Sequence, residues 1–313
     1  MREILKYLYH NTFLGHHIIH LLLRLNTFYL HRVLPEKVFL ERNFRKAFNR
    51  DLNLENPETL NEKIVWLKLN DRTPLHTQCA DKYAVRDYVE VKIGKEYLVP
   101  LFYMTKDPRD ITPDNLPNIP CIIKTNHDSS GGIFVEDKNN TNWLLVRKSL
   151  KKRLKHNYYY GKKEWQYKNI EPCIIVEKLL TNNDGKIPDD YKIHCFNGKV
   201  QMIQVDVDRH SDNRYRLWYN IKWKREPYTW FRTNKEDYNK AKPKKIDVEK
   251  PKKLNKMVEL SEILSEDFRY VRVDWYDVDG ILYFGELTFH HDSGNTPILP
   301  EEWDKKLGNK LVL

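Results

Sequence analysis

The sequence predicts an α+β fold with mainly antiparallel sheets. Short apolar runs of strand length are joined by tight turns rather than long crossovers, helical periodicity returns only at intervals between them, and no internal repeat orders the chain. The 313 residues are 40% hydrophobic and 31% charged, which supports a packed core and argues against wholesale disorder. A net charge of +10 favours anionic partners: phosphates, nucleotides, nucleic acid, acidic polysaccharide or an anionic membrane face.

Taken in order, residues 1–55 read as an N-terminal helical extension. Its run "FLGHHIIHLLLRL", Phe13 to Leu25, is too short and too rich in His and Arg to span a bilayer. It reads either as a helix packed on the body or as an amphipathic segment on a membrane. His16, His17 and His20 lack the carboxylate or thiol partners of a metal site. "NPETLNEKIVWLKL" is a helix that Asn56 can cap, with Pro57 in its first turn and Leu60, Ile64 and Leu67 on one face. A second helix covers "LHTQCADKYAVRDYVEVKI", stops at Gly94, and sets Lys82 and Arg86 on one face.

The strand "EYLVPLFYM" leads into the loop "DPRDITPDNLPNIP", which suggests a lobe boundary. Strand signals follow in "CIIKTN" and "GIFVED", then a basic helix from Trp143 to Leu154. "CIIVEKLL", "YKIHCF", an Asn197-Gly198 turn, "KVQMIQVDV" and "RYRLWYNIKW" continue the strands. The charged stretch from Asn234 to Lys253 reads as a solvated loop, and "LNKMVELSEILS" as a helix. The expected division is residues 1–55, an N-terminal lobe over 56–120, a small lobe over 121–180 and a large lobe over 181–313. Cys79, Cys121, Cys173 and Cys195 form no CxxC or zinc spacing and read as buried thiols.

The closing hairpin "RVDWYDVDGILYFGELTF" carries an acid in each arm, Asp274 and Glu286. With a two-residue Asp279-Gly280 turn the two acids face opposite ways. With a three-residue loop Arg272 sits opposite Glu286, and Asp274 and Thr288 join them on one face. Such a patch suits a divalent cation, but a cross-strand salt bridge accounts for part of it equally well. "KTNHDSSGG" ends a strand on Lys124 and continues into a small-residue loop, Ser129, Ser130, Gly131 and Gly132. Backbone N–H groups there can approach a polyphosphate. It is neither a Walker loop nor a dinucleotide fingerprint. Glu177 ends an apolar strand, and Lys192 sits in another after an acidic loop.

Each signal is modest alone, but their order is specific. The segments "LNEKIVWLKL", "DRTPL", "ADKYAVRDYV", "KTNHDSSGG", "EWQYKNI", "YKIHCFNGK", "RVDWY" and "FGELTF" resemble the TupA-like branch of the ATP-grasp superfamily, named for teichuronopeptide biosynthesis. The resemblance runs from about residue 35 to the C-terminus. It implies two α+β lobes clamping ATP and Mg2+, and an ATP-dependent ligase that joins a carboxylate to an amine through an acylphosphate. It further implies a setting in bacterial surface-polysaccharide synthesis, in the cytoplasm or at the inner membrane face. The implied substrate is a carboxylate sugar or an amino acid, free or on a lipid-linked saccharide, with no nucleic acid involved.

Carried over by position, the resemblance puts Lys124 and either Lys82 or Lys192 at the phosphates, Asn126 among the cofactor-binding residues, and Ser129, Ser130, Gly131 and Gly132 as the flap. Glu177, Lys178 and Leu179 would border the adenine. Asp274 and Glu286 would ligate magnesium. Arg272 and Lys192 would serve catalysis, and His290 or His291 would deprotonate the amine. Thr288 stands where many relatives have Asn, which weakens the case for a second metal.

Two rival classes remain. A metal-dependent glycosyltransferase acting on a nucleotide-sugar would use a DxD, and "DVD" occurs at Asp206–Asp208 and Asp277–Asp279. A nucleic-acid-binding protein would use basic runs such as "RKSLKKRLKH", yet no RRM, zinc or helix-turn-helix pattern accompanies them.

Overall fold

A computed structural model describes residues 2–129, 131–207, 215–230 and 247–313. Ser130, Asp208 and most of the charged stretch 234–253 lie outside the described residues. The chain forms two compact units, Met1–Asp51 and Leu52–Leu313.

The first unit comprises α1 (Arg2–Asn11), α2 (Phe13–Phe28), a short π-helical turn (Tyr29–Val33) and α3 (Glu36–Phe48). Thr12 caps α2, its Oγ1 accepting from Gly15 N at 3.1 Å. α3 ends on Asn49 in the left-handed region, φ 54°.

The second unit opens with α4 (Leu60–Asn70). Its cap is Thr59, not Asn56. Thr59 Oγ1 accepts from Glu62 N at 3.2 Å, and Glu62 Oε2 accepts from Thr59 N at 3.0 Å. This reciprocal capping box satisfies two end donors at once, which a lone Asn56 would not. The single long helix expected next is two helices, α5 (Pro74–Ala80) and α6 (Val85–Ile93). Asp81 Oδ1 accepts from Tyr83 N (2.8 Å) and Ala84 N (3.3 Å), so its side chain replaces the helical ladder there. Lys82 therefore sits in the break, with no shared helical face with Arg86.

The smaller sheet is wholly antiparallel: β1 (Leu101–Thr105), β2 (Cys121–Thr125), β3 (Ile133–Val135) and β4 (Ile174–Lys178), in the order β1-β4-β2-β3. Helix α7 (Trp143–Leu154) lays Val146 and Leu150 onto Ile123, Ile174 and Val176. Each fully buried aliphatic chain of this kind contributes about 1.5–3 kcal/mol. α8 (Tyr158–Lys162) follows α7.

The larger sheet holds β5 (Asp190–Phe196), β6 (Lys199–Val207), β7 (Tyr215–Tyr219), β9 (Tyr270–Val278) and β10 (Ile281–Thr288), antiparallel in the order β10-β9-β5-β6-β7. β8 (Thr229–Trp230) pairs with β11 (Ile298–Leu299), and α10 (Glu302–Gly308) follows. Side chains alternate between faces with period two. One face sends Ile193, Val205, Leu217, Val273 and Trp275 into the core beneath α9 (Leu254–Ser265), against Met257, Leu260 and Leu264. The other sends out Asp190, Lys192, His194, Gln204, Asp206, Arg216, Arg272 and Asp274. Neighbouring strands place these side by side: Lys192 opposite Asp274 and Gln204, and Asp206 opposite Asp190 and Arg216.

The closing hairpin resolves its own ambiguity in a third way. The turn is the two-residue one, with Asp279 at φ 50° and Gly280 at φ 87° and Val278 paired to Ile281. The register then shifts by a bulge between Phe284 and Leu287, so Arg272 pairs with Thr288 rather than with Glu286. That one extra residue turns Glu286 onto the face of Arg272 and Asp274.

Candidate active site

A cleft of about 730 Å³ is lined by both sheets of the second unit. On the larger sheet, Arg272 organises the floor. Its Nε and Nη2 each donate to Asp274 at 2.6 Å, Nη2 also donates to Glu286 Oε1 at 3.0 Å, and Nη1 donates to His291 Nδ1 at 2.9 Å. Thr288 Oγ1 donates to the same Glu286 oxygen at 3.1 Å. Lys192 Nζ lies 2.7 Å from Asp190, 3.5 Å from Asp206 and 3.6 Å from Asp274. Asp206 also accepts from Gln204 Nε2 at 3.0 Å and Arg216 Nε at 2.7 Å. A buried charge is tolerable only when paired, and here each is shared among several partners.

The fields at Glu286 compete. Desolvation in the cleft pushes its carboxyl up, but Lys82, Arg272, Lys192 and the Thr288 hydrogen bond outweigh that and hold it at about 2. Burial, reinforced by neighbouring cations, pushes His290 and His291 well below the usual imidazole range, so both are neutral. His290 Nδ1 is buried without a hydrogen-bond partner among the described residues.

The smaller sheet contributes differently. Lys124 Nζ donates to Glu177 Oε2 at 2.9 Å, while Arg86 Nη1 donates to Glu177 Oε1 at 3.1 Å and to Val99 O at 2.9 Å. Glu177 thus bridges two cations beside the cleft. Lys82 Nζ donates to Asp128 O. Ser129 and Gly131 are exposed, and Arg153 Nη1 donates to Gly131 O at 2.7 Å. Val99, Leu179, Leu180, Ile187 and Pro188 form an apolar stretch of wall beside Lys178.

Of the residues singled out in the sequence, the cleft gathers Lys82, Lys124, Ser129, Gly131, Gly132, Glu177, Lys178, Leu179, Lys192, Arg272, Asp274, Glu286, Thr288 and His290. Asn126 is not among the cleft-lining residues. Its Oδ1 accepts from Cys173 N at 2.7 Å and its Nδ2 donates to Glu171 O at 3.0 Å, so it ties the end of β2 to the approach of β4. The second DVD belongs to the hairpin turn: Asp277 Oδ1 accepts from Gly280 N and Asp279 Oδ2 from Asn183 N, both at 2.8 Å.

Several cleft residues were not assigned to the ligase site: Asp190, Arg216 and Glu164, together with Asp206, which was singled out only as part of a DxD. Asp190, Asp206 and Arg216 carry a readable signal, because polar residues at i and i+2 inside otherwise apolar strands mark a polar sheet face. Glu164 accepts from Ser293 Oγ at 2.6 Å, and that hydroxyl accepts from Lys68 Nζ at 2.8 Å. Burial pushes the Glu164 carboxyl upward against the pull of Lys68. Ser293 follows Asp292, and both are non-glycine residues at positive φ, 46° and 64°. Only three-dimensional structure brings these segments together.

Two α+β halves around a cleft, one with a small-residue loop and the other with paired carboxylates, define an ATP-grasp fold. The family model described as TupA-like ATPgrasp matches residues 62–312, and the chain belongs to that family. Among solved structures, D-alanine–D-alanine ligase from Bacillus anthracis complexed with ATP is 16% identical over 68% of this chain and 54% of its own, with a TM-score of 0.37. L-amino acid ligase from Bacillus licheniformis is 14% identical over 83% of this chain and 56% of its own, TM-score 0.43. D-alanine–D-alanine ligase from Helicobacter pylori is 13% identical over 82% and 70%, TM-score 0.45. The chain thus spans little more than half the length of the first two. A search of curated proteins returns no match. No helix among the described residues is long and apolar enough to cross a membrane.

Proposed function

We propose that this chain is an ATP-dependent carboxylate–amine ligase acting on a carboxylate sugar or amino acid in surface-polysaccharide synthesis. The observation that carries the reading is the meeting of Asp274, Glu286, Arg272 and Lys192 on one cleft face, with Lys82, Lys124, Ser129, Gly131 and Gly132 also on the cleft. We assign the reaction to the cytoplasm, where ATP is at hand, and the acceptor to a free, polymeric or lipid-linked saccharide. We take the smaller sheet as the nucleotide-covering lobe and the larger as the metal and acceptor lobe.

The donor set fits magnesium. Two carboxylates on one face suit a hard cation that keeps phosphate oxygens and water for the rest of its shell. Asp274 and Glu286 would hold the ion, with Thr288 beside them, and it would supply Lewis-acid polarisation of the phosphate oxygens.

The chain's own residues do the rest. Lys82, Lys124 and Lys192 bring positive charge to the phosphate oxygens, and the apolar wall at Leu179 and Leu180 receives the base. A substrate carboxylate oxygen bonds to the γ-phosphorus as the bond to ADP breaks. Arg272, fixed by Asp274 and His291, offers its charge where oxyanion charge grows. The amine nitrogen then bonds to the acyl carbon, phosphate leaves, and the amine proton passes to neutral His290. Preorganised charge lowers the barrier, so no nucleophilic side chain is needed.

The test is a thermal-shift titration of the wild type and Glu286→Gln with Mg-ATP and with Mn-UDP-sugars. A ligand at a hundred times its Kd stabilises the fold by about 2.7 kcal/mol. Stabilisation by Mg-ATP that Glu286→Gln largely removes supports the ligase. Stabilisation by the UDP-sugar alone overturns it in favour of a glycosyltransferase.

A further inference from the structure

The first unit presents a face that the ligase reading leaves unused. α2 buries no residue, although it is the most apolar helix of its unit. Phe13 is 76% exposed, Leu14 71% and Phe28 60%, and Ile18, Leu21, Leu22, Leu25 and Val33 are each more than half exposed. α3, by contrast, buries Phe39, Leu40 and Phe44. Contiguous apolar exposure on this scale marks an interaction surface.

The arrangement is two-sided. Leu14, Ile18, Leu21, Leu22, Leu25 and Phe28 fall at i, i+4, i+7, i+8, i+11 and i+14, one helical face. His17 and Arg24 border that face on one side, and His16 and His20, whose rings stack with centroids 6.0 Å apart, lie opposite it beside Leu23. Charge is one-signed as well. From Lys6 to Pro35 there is no Asp or Glu, while Lys6, Arg24 and Arg32 carry positive charge and His10, His16, His17, His20 and His31 add imidazoles.

We infer that α1 and α2 form an interfacial anchor that docks on an anionic lipid bilayer, α2 lying in the plane of the surface. An apolar face beside a basic one is the composition of such helices. No helix among the described residues is long and apolar enough to cross a membrane, and α2 carries His16, His17, His20 and Arg24 along its length, so lying on the surface fits and spanning does not. A second copy of the chain is a poorer occupant. It would bring the same cations to the contact with no acid from this segment to meet them, whereas phosphatidylglycerol supplies the missing negative charge.

Vesicle flotation of the full chain tests this, using phosphatidylcholine alone and phosphatidylcholine mixed with phosphatidylglycerol. The wild type should float with the mixed vesicles and much less with the neutral ones, and added salt should release it. Leu21→Ser/Leu25→Ser should cut binding by about tenfold or more. Arg24→Gln, which keeps the apolar face, should cut it about fivefold. Both variants should melt at the wild-type temperature, since the altered side chains are exposed. Wild type that stays unbound with mixed vesicles overturns the inference, as does undiminished flotation of the double-serine variant. A dimer by light scattering that the double-serine variant dissolves overturns it in favour of self-association.

Discussion

The two sheets that face the cleft treat charge in opposite ways. On the larger sheet, Lys192 is 4% exposed and within reach of three carboxylates, and Arg272 donates to three side chains at once. On the smaller sheet, Lys124 is 23% exposed and meets the single carboxylate of Glu177, and the loop beyond it is open at Ser129 and Gly131. One sheet assembles its electrostatics during folding, before any ligand arrives. The other holds its charge where a ligand can rearrange it. The difference assigns precision to the larger sheet and adaptation to the smaller.

The largest expected effect breaks the interlocked side. Arg272→Met would leave Asp274 and Glu286 without their shared partner and should cost about 3–5 kcal/mol, because it strands buried negative charge. Lys124→Met should cost about 1 kcal/mol or less, since Glu177 keeps Arg86. Its larger effect should be a loss of Mg-ATP stabilisation. Urea denaturation of both variants checks the stability difference. Equal costs would end the contrast between a prebuilt and an adaptable sheet.

A middling effect is expected from acid at Glu286. Its carboxyl is held at about 2 in the fold, below its ordinary value of 4.5. A depressed carboxyl stabilises the fold above its unfolded value, and that contribution is lost as pH falls from about 4.5 to about 2. The melting-temperature gap between wild type and Glu286→Gln should therefore be constant above this window and close within it. The buried histidines, which must become charged on unfolding below their ordinary value, weaken both proteins alike and cancel in the comparison. A gap that persists at the acid end would mean the cleft cations do not act on Glu286.

The same contrast explains what the sequence made legible. An acid in each arm of one hairpin has no use in a core, so Asp274 and Glu286 stood out from the residues alone. Their register did not. Both registers considered use a regular ladder, whereas the fold keeps the two-residue turn and inserts a bulge, a choice made by packing Phe284 and Leu287 into the core. The α4 cap was legible but misassigned: Thr59 and Glu62 carry the three-residue spacing of a capping box. Asp190 and Asp206 were visible as period-two polar positions, yet the convergence of Asp206 on Lys192 depends on how β6 pairs with β5. The small-residue loop of the adaptable sheet could be read directly, because its character is local.

The smallest effect probes that loop without touching a contact. Gly131 lies at φ 75°, and a methyl group there would meet nothing within 4 Å. Gly131→Ala therefore tests backbone conformation alone. An L-residue in the left-handed region costs about 1–2 kcal/mol. In an exposed loop much of that strain can relax in the free protein, so the melting temperature should change little. It must return if the nucleotide selects the left-handed backbone, and Mg-ATP affinity should then fall by up to about tenfold. Isothermal titration of both proteins reads the difference. Unchanged affinity would mean that the loop's backbone plays no part in holding phosphate, and the smaller sheet would keep its looser charges without the adaptive role assigned to them.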